Sequence, residues 1–238
     1  MNIVAKNSEH TSRQFDIELD AVRSSVMQMG GLAREQFRLA MKSLHSGDMV
    51  LMKQVLNLGY QVNSLEVEID RKCKLILAKR QPEAIDLRTI LTALKITTDI
   101  ERIGDQAELI VRRAEMLFQL GRLNLPRSVD ISHCASLALS MADNAMEAFA
   151  RSDAVIATQV IRQDKQVNEE FDFITRNLIG YMLEDPRCIT AALDLIFVAK
   201  AIERIGNHAK SISEYVIFMV KGHDIRHTSI EEVERKAL

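Results

Sequence analysis

The chain contains no tryptophan, and eight phenylalanines and three tyrosines are its only aromatic residues. A core made from this material must be aliphatic, and with 47% hydrophobic residues there is enough to build one. Proline is as scarce, with three residues in 238, at Pro82, Pro126 and Pro186. That scarcity excludes a proline-rich linker protein. Together with abundant alanine, leucine, isoleucine, methionine and charged residues, it points to an all-α chain. There is no excess of either charge: 31 Lys and Arg against 33 Asp and Glu leave a formal −2. A general nucleic-acid binder normally carries a basic stripe, so that class is disfavoured. No apolar run approaches the ~18 residues of a membrane span. The first residues, with Asn2, Lys6, Asn7, Ser8, Glu9 and His10, lack the apolar stretch of a signal peptide. A cytoplasmic location is therefore expected. Cys73, Cys134 and Cys188 are odd in number, far apart and set among apolar neighbours. They read as reduced core cysteines.

What is present is organised by the few breaks. The three prolines, together with Ser46-Gly47-Asp48 and Arg151-Ser152-Asp153, divide the chain into helical segments. Pro cannot enter a helix interior, and Asp or Ser caps the helix that follows. The spacing predicts six helices over residues 14–45, 49–79, 85–120, 127–150, 154–183 and 187–221. Residues 1–13 are expected to be a flexible N-terminal segment and 223–238 a polar C-terminal tail.

The six segments are two copies of three. The stretch from Asp48 to Val55 matches Asp153 to Val160, and Gln61-Val62-Asn63 matches Gln166-Val167-Asn168 at the same offset. In the third helix of each copy, Asp99-Ile-Glu-Arg-Ile-Gly-Asp-Gln-Ala107 is matched by Ala201-Ile-Glu-Arg-Ile-Gly-Asn-His-Ala209. The apolar stripes Ile96, Ile100, Ile103, Ala107, Ile110, Ala114, Leu117 and Leu195, Val198, Ile202, Ile205, Ala209, Ile212, Val216, Met219 step by three and four over many turns. Long helices joined by short turns make an up-down-up bundle. The expected fold is thus all-α: two tandem, pseudo-symmetric three-helix bundles, residues 14–122 and 123–222.

Two features of the repeated nonapeptide conflict with a plain helix. Gly104 and Gly206 lie in mid-helix, where glycine costs ~1 kcal/mol relative to alanine. Such positions serve close packing against another helix, for example between the bundles, or the approach of a ligand. Glu101 and Asp105, with Glu108 one turn on, put like charges on one helix face, which calls for a counter-charge. Asn63, Glu66 and Asp70 form a second face on the preceding helix. If the faces meet, their oxygens suit a hard or borderline ion such as Mg, Mn or Fe. The other reading is a solvated acidic face paired with Arg71, Arg102 and Lys74. In the second copy Glu203 remains, Asn207 replaces the second acid, and Asp164 with Asn168 supplies the partner helix. Gly59 stands where the second copy has Asp164. Each constellation is incomplete, so divalent metal binding is expected to be weak or absent.

Catalytic patterns are missing. No Glu-x-x-His pair marks a ferritin-like di-iron bundle, and no Gly-rich phosphate loop, nucleophile elbow or Cys-x-x-Cys spacing occurs. Asp224 and His227 stand three apart near a helix end and read as a stray pair. No catalytic or cofactor-binding residue is assigned, and the chain is not expected to be an enzyme.

The paired Glu-Arg-Ile-Gly-[Asp/Asn] motifs, the Val-Asn pairs of the second helices and the ending Val220-Lys-Gly-His-Asp-Ile-Arg-His227 resemble the PhoU family. Met29-Gly-Gly-Leu32 and Ile76-Leu-Ala-Lys-Arg-Gln-Pro82 extend the resemblance over essentially the whole chain. It implies a cytoplasmic, often dimeric protein of two similar three-helix bundles. It also implies negative regulation of phosphate uptake and of the phosphate-starvation regulon. The implied partners are the ATPase subunit (PstB type) of the phosphate ABC transporter and a PhoR-type sensor histidine kinase, with no nucleic acid and no membrane insertion. Some family members bind metal through Glu/Asp-x-x-x-Asp pairs, which carry over to Glu101 with Asp105 and to Glu203 with Asn207. On the partner helices they carry over to Gly59 with Asn63 and to Asp164 with Asn168. The alternative from a different class is a carboxylate bundle that stores metal or is a metal-dependent enzyme, with Glu66, Asp70, Glu101 and Asp105 as ligands.

Overall fold

The computed structural model describes residues 3–119, 130–225, 228 and 232. Six long helices carry the fold: α1 (Ile3–Ser46), α2 (Met49–Arg80), α3 (Ala84–Gln119), α4 (Ser132–Arg151), α5 (Ala154–Glu184) and α6 (Ile189–Lys221). A 3₁₀ turn, Pro186–Cys188, leads into α6, and no strand occurs among the described residues. The first helix starts at Ile3, well before the expected position 14, because polar N-terminal residues carry no apolar period from which a start is read. The expected opening of the fourth helix at 127–129 and most of the expected tail at 223–238, including His227, lie outside the described residues.

The breaks work as their chemistry requires. Asp48 Oδ1 accepts from Val50 N–H at 2.8 Å, and Asp153 Oδ1 accepts from Val155 and Ile156 N–H at 2.8 and 3.1 Å. Each acid thereby satisfies donors that the first helical turn leaves free. Gly47 adopts φ +70°, and a Cβ there would overlap the ring of Phe118. Conformation and crowding both demand glycine at that corner.

Helices α1, α2 and α3 pack on one another, as do α4, α5 and α6, giving two three-helix bundles. Every residue of the two stripes read from the sequence is buried. The bundles join through α3 against α6 and α1 against α4. Both pairs run antiparallel. Thr92 donates to the Tyr215 carbonyl, Asp99 meets His208 and Arg113 meets Asp194, so numbers rise on α3 as they fall on α6. Likewise Arg23 reaches Ser152, Arg34 reaches Asp143 and His45 reaches Ser132. This is the arrangement that a two-fold relation between the bundles produces. The three cysteines are buried and unbonded. Burial pushes the Cys73 thiol up to about 11 and the Cys134 thiol to about 12, so neither supplies a reactive thiolate.

Candidate functional site

The two nonapeptides face each other. His208 Nδ1 of the second lies 2.7 Å from Asp99 Oδ1 of the first, across the α3–α6 seam. Their glycines, however, serve the interior of each bundle and not the seam between bundles. A Cβ on Gly104 would come within 2.9 Å of Gln36 Oε1 from α1 and 3.7 Å of Val62 from α2. On Gly206 it would meet Val167 Cγ1 at 3.3 Å and Met141 Sδ at 3.6 Å. Glycine at each place lets α1 and α2, or α4 and α5, close onto the motif. Gln36 is fully buried, and its Nε2 donates to the Gly104 carbonyl at 3.3 Å.

With the glycine inward, the acids turn to the groove between α2 and α3. Glu101 is half-buried, and burial is the main reason its carboxyl sits above the usual range. The Asp105 charge raises it further, Arg102 pulls it down, and Glu66 of α2 adds another like charge. Glu108 is also raised, first by burial, with Arg112 opposing and Asp105 adding. The available counter-charges pair loosely: Arg102 lies 3.5 Å from both Glu101 and Asp105, and Arg112 lies 3.5 Å from Glu108. Both arginines are more than half exposed, so water weakens these pairs. A groove holding Glu66, Glu101, Asp105 and Glu108 is therefore acidic and incompletely neutralised.

Not every expected residue joins it. Asp70 turns to Lys74 at 2.6 Å, and Asn63 is exposed on α2. Gly59 has a role that spacing did not reveal: a Cβ there would overlap Glu108 Oε1. The missing side chain on α2 makes room for a carboxylate arriving from α3. Among the described residues, no three His, Cys, Asp or Glu side chains converge closely enough to hold a metal ion as they stand. The side chains are all carboxylates, the donor type a hard cation takes, and they would have to close in for one to bind.

The second groove, between α5 and α6, differs. Glu203 and Asp164 are each 7% exposed. Lys200 Nζ stands 2.9 Å from Glu203 Oε2, while Asn207 donates to Oε1 at 3.1 Å. Lys210 Nζ donates to Asp164 Oδ2 at 3.0 Å, joined there by Asn168 Nδ2 at 3.2 Å. Asp164 Oδ1 has no hydrogen-bond partner, and Lys200 approaches Glu203 Oε2 without hydrogen-bonding alignment. Lys200 and Lys210 look like ordinary surface lysines in the sequence. Aligning the repeats places Lys210 opposite Glu108, the one signal that singles it out.

The PhoU domain model matches residues 26–114 and 131–216, one match in each bundle. The chain belongs to the PhoU family. It is 43% identical over 232 residues to the "Phosphate-specific transport system accessory protein PhoU homolog" of Pseudomonas aeruginosa, covering 95% of each chain. It is 38% identical over 228 residues to the "Phosphate-specific transport system accessory protein PhoU" of Escherichia coli K12, covering 96% of this chain and 94% of that one. The crystal structure of PhoU from P. aeruginosa superposes with a TM-score of 0.84 at 42% identity, over 88% of this chain and 100% of the other. The PhoU structure from Streptococcus pneumoniae, at 24% identity and a TM-score of 0.81, shares the PhoU fold. No helix among the described residues is long and apolar enough to cross a membrane.

Proposed function

We propose that this PhoU-family chain is a non-catalytic negative regulator of phosphate uptake and of the phosphate-starvation response. It acts as an adaptor between a phosphate ABC transporter, through its PstB-type ATPase subunit, and a PhoR-type sensor histidine kinase. The reading rests on full-length similarity to proteins named as accessory to phosphate-specific transport. The observation that carries a mechanism is the acidic groove of the first bundle, where Glu101 and Glu108 are held above the usual carboxylate range by burial and neighbouring acids. Carboxylates held together at such cost are relieved by a cation, either a divalent ion or a basic surface of a partner. A regulator shifts its partner's equilibrium only as far as it binds one state better, so preference for the kinase's off state is the core of the mechanism.

Glu66, Glu101, Asp105 and Glu108 would hold a divalent Mg, Mn or Fe ion, which would supply positive charge without redox chemistry. Glu203, Asn207, Asp164 and Asn168 are their counterparts in the second bundle, where Lys200 and Lys210 already pair with the acids. The protein works in the cytoplasm as a homodimer, and exposed Tyr60 and Val67 on α2 with Phe173 and Leu183 on α5 provide apolar surface for contacts. The same carboxylates support a second reading, a metal-storing bundle, in which metal and not partner binding is the function.

Immobilised ATPase subunit and the cytoplasmic part of the kinase separate the two. Binding of this chain to at least one is expected, falling with salt and lost in Glu101→Gln/Asp105→Asn. If the chain binds neither at any salt concentration, the adaptor reading fails and metal storage takes its place.

A further inference from the structure

The two grooves occupy equivalent places in the repeat, yet they differ in charge at four aligned positions. Glu66 of α2 is matched by Phe171 of α5, Gly59 by Asp164, Thr98 of α3 by Lys200 of α6, and Glu108 by Lys210. The first groove thus carries Glu66, Glu101, Asp105 and Glu108 with no lysine at these positions. The second carries Asp164 and Glu203 with Lys200 and Lys210. The exchange is coupled in space. Where Glu108 of α3 lies over Gly59, Lys210 of α6 reaches Asp164. Where Glu66 adds negative charge to Glu101, the ring of Phe171 seats the Lys200 ammonium 4.8 Å from its centre, and that ammonium lies on Glu203.

A second sign comes from the buried oxygens. Asp164 and Glu203 keep side chains only 10% and 9% exposed, and Asp164 Oδ1 and Glu203 Oε2 lack hydrogen-bond donors. Buried carboxylate oxygens normally find a donor or a metal ion. Here each carboxylate has an ammonium within 3.0 Å instead. A charge carried on the same helix, as Lys200 is for Glu203, or on the packed neighbour, as Lys210 is for Asp164, is present at high effective concentration and repels an incoming dication.

We infer that Lys200 and Lys210 are tethered cations standing where a divalent ion would bind the second bundle, so that this chain takes up divalent cations through its first bundle alone. The inference rests on reading the acidic grooves as cation-binding surfaces. It makes the two pseudo-equivalent faces unequal: one responds to the ion supply, and the other is permanently neutralised.

Equilibrium dialysis of the full-length chain against Mn²⁺ tests it. The wild type is expected to hold a single Mn²⁺, lost in Glu101→Gln/Asp105→Asn and kept in Glu203→Gln. Lys200→Ala/Lys210→Ala is expected to gain a second Mn²⁺, which adding Glu203→Gln removes again. Glu108→Lys, which transplants the second groove's lysine into the first, is expected to weaken Mn²⁺ binding there by at least about tenfold. Far-UV circular dichroism verifies the fold of each variant. A folded double-lysine variant with no extra Mn²⁺, or a wild type that loses Mn²⁺ on Glu203→Gln, overturns the inference. If the double variant does not fold, unchanged affinity in Glu108→Lys overturns it. A wild type that binds no Mn²⁺ overturns the cation reading of both grooves, while the partner-binding result stands or falls separately.

Discussion

Position 59 shows how a single atom sets the character of a site. Without a Cβ on Gly59, the Glu108 carboxylate lies in the α2–α3 groove, and burial there raises its pKa. Because its folded-state value lies above the unfolded one, the native state holds this proton more tightly. The associated stability is present below the unfolded pKa and is lost as pH rises through the folded pKa. In protein free of divalent ions, Glu108→Gln is therefore expected to raise Tm at neutral pH. The gain should shrink as pH falls into the carboxylate range, and thermal melts across pH read it directly. The glycines themselves are not alike. Gly31 has nothing within 4 Å of its would-be Cβ, so Gly31→Ala should stabilise by about 0.5–1 kcal/mol from helix propensity alone. At Gly104 a Cβ would press on fully buried Gln36 and break its bond to the Gly104 carbonyl. Losing that bond costs about 1–3 kcal/mol, more than the propensity gain, so Gly104→Ala should destabilise in urea titrations. Sequence alone marks both as mid-helix glycines. Only the neighbouring helix separates them.

Among the elements, α3 and α6 carry most of the account. Their apolar stripes, the caps Asp48 and Asp153 and the repeat itself could all be read from the sequence, because each depends on local spacing. The ends of α2, α5 and α6 fall within a residue or two of those expected. What spacing could not supply is which helix faces which, and at what rotation. For that reason spacing groups Asp70 with Glu101 although it turns to Lys74, and it aligns Gly59 with Asp164 without showing that Glu108 and Lys210 are the side chains that meet them. The seam between α3 and α6 was equally hidden. There Arg113 lies over the Phe197 ring at 4.3 Å and donates to Asp194 at 2.9 Å. Asp194 is 6% exposed, so Arg113→Ala leaves a buried carboxylate without its cation. That should cost about 1–3 kcal/mol in urea unfolding. Arg113→Met combined with Asp194→Leu should recover most of the loss, because an apolar pair carries no desolvation penalty.

At the scale of the molecule, two homologous bundles share an antiparallel seam and present two unequal grooves. The first is acidic and open to a cation or basic partner, and the second is neutralised from within. Such a body has surfaces to offer partners, which the proposed adaptor role requires. The most direct test is a phosphate-starvation promoter measured in cells that lack this gene and grow in excess phosphate. The account predicts a promoter that stays on, is silenced by the wild-type gene, and is not silenced by Glu101→Gln/Asp105→Asn. A promoter that is silent without the gene would contradict it.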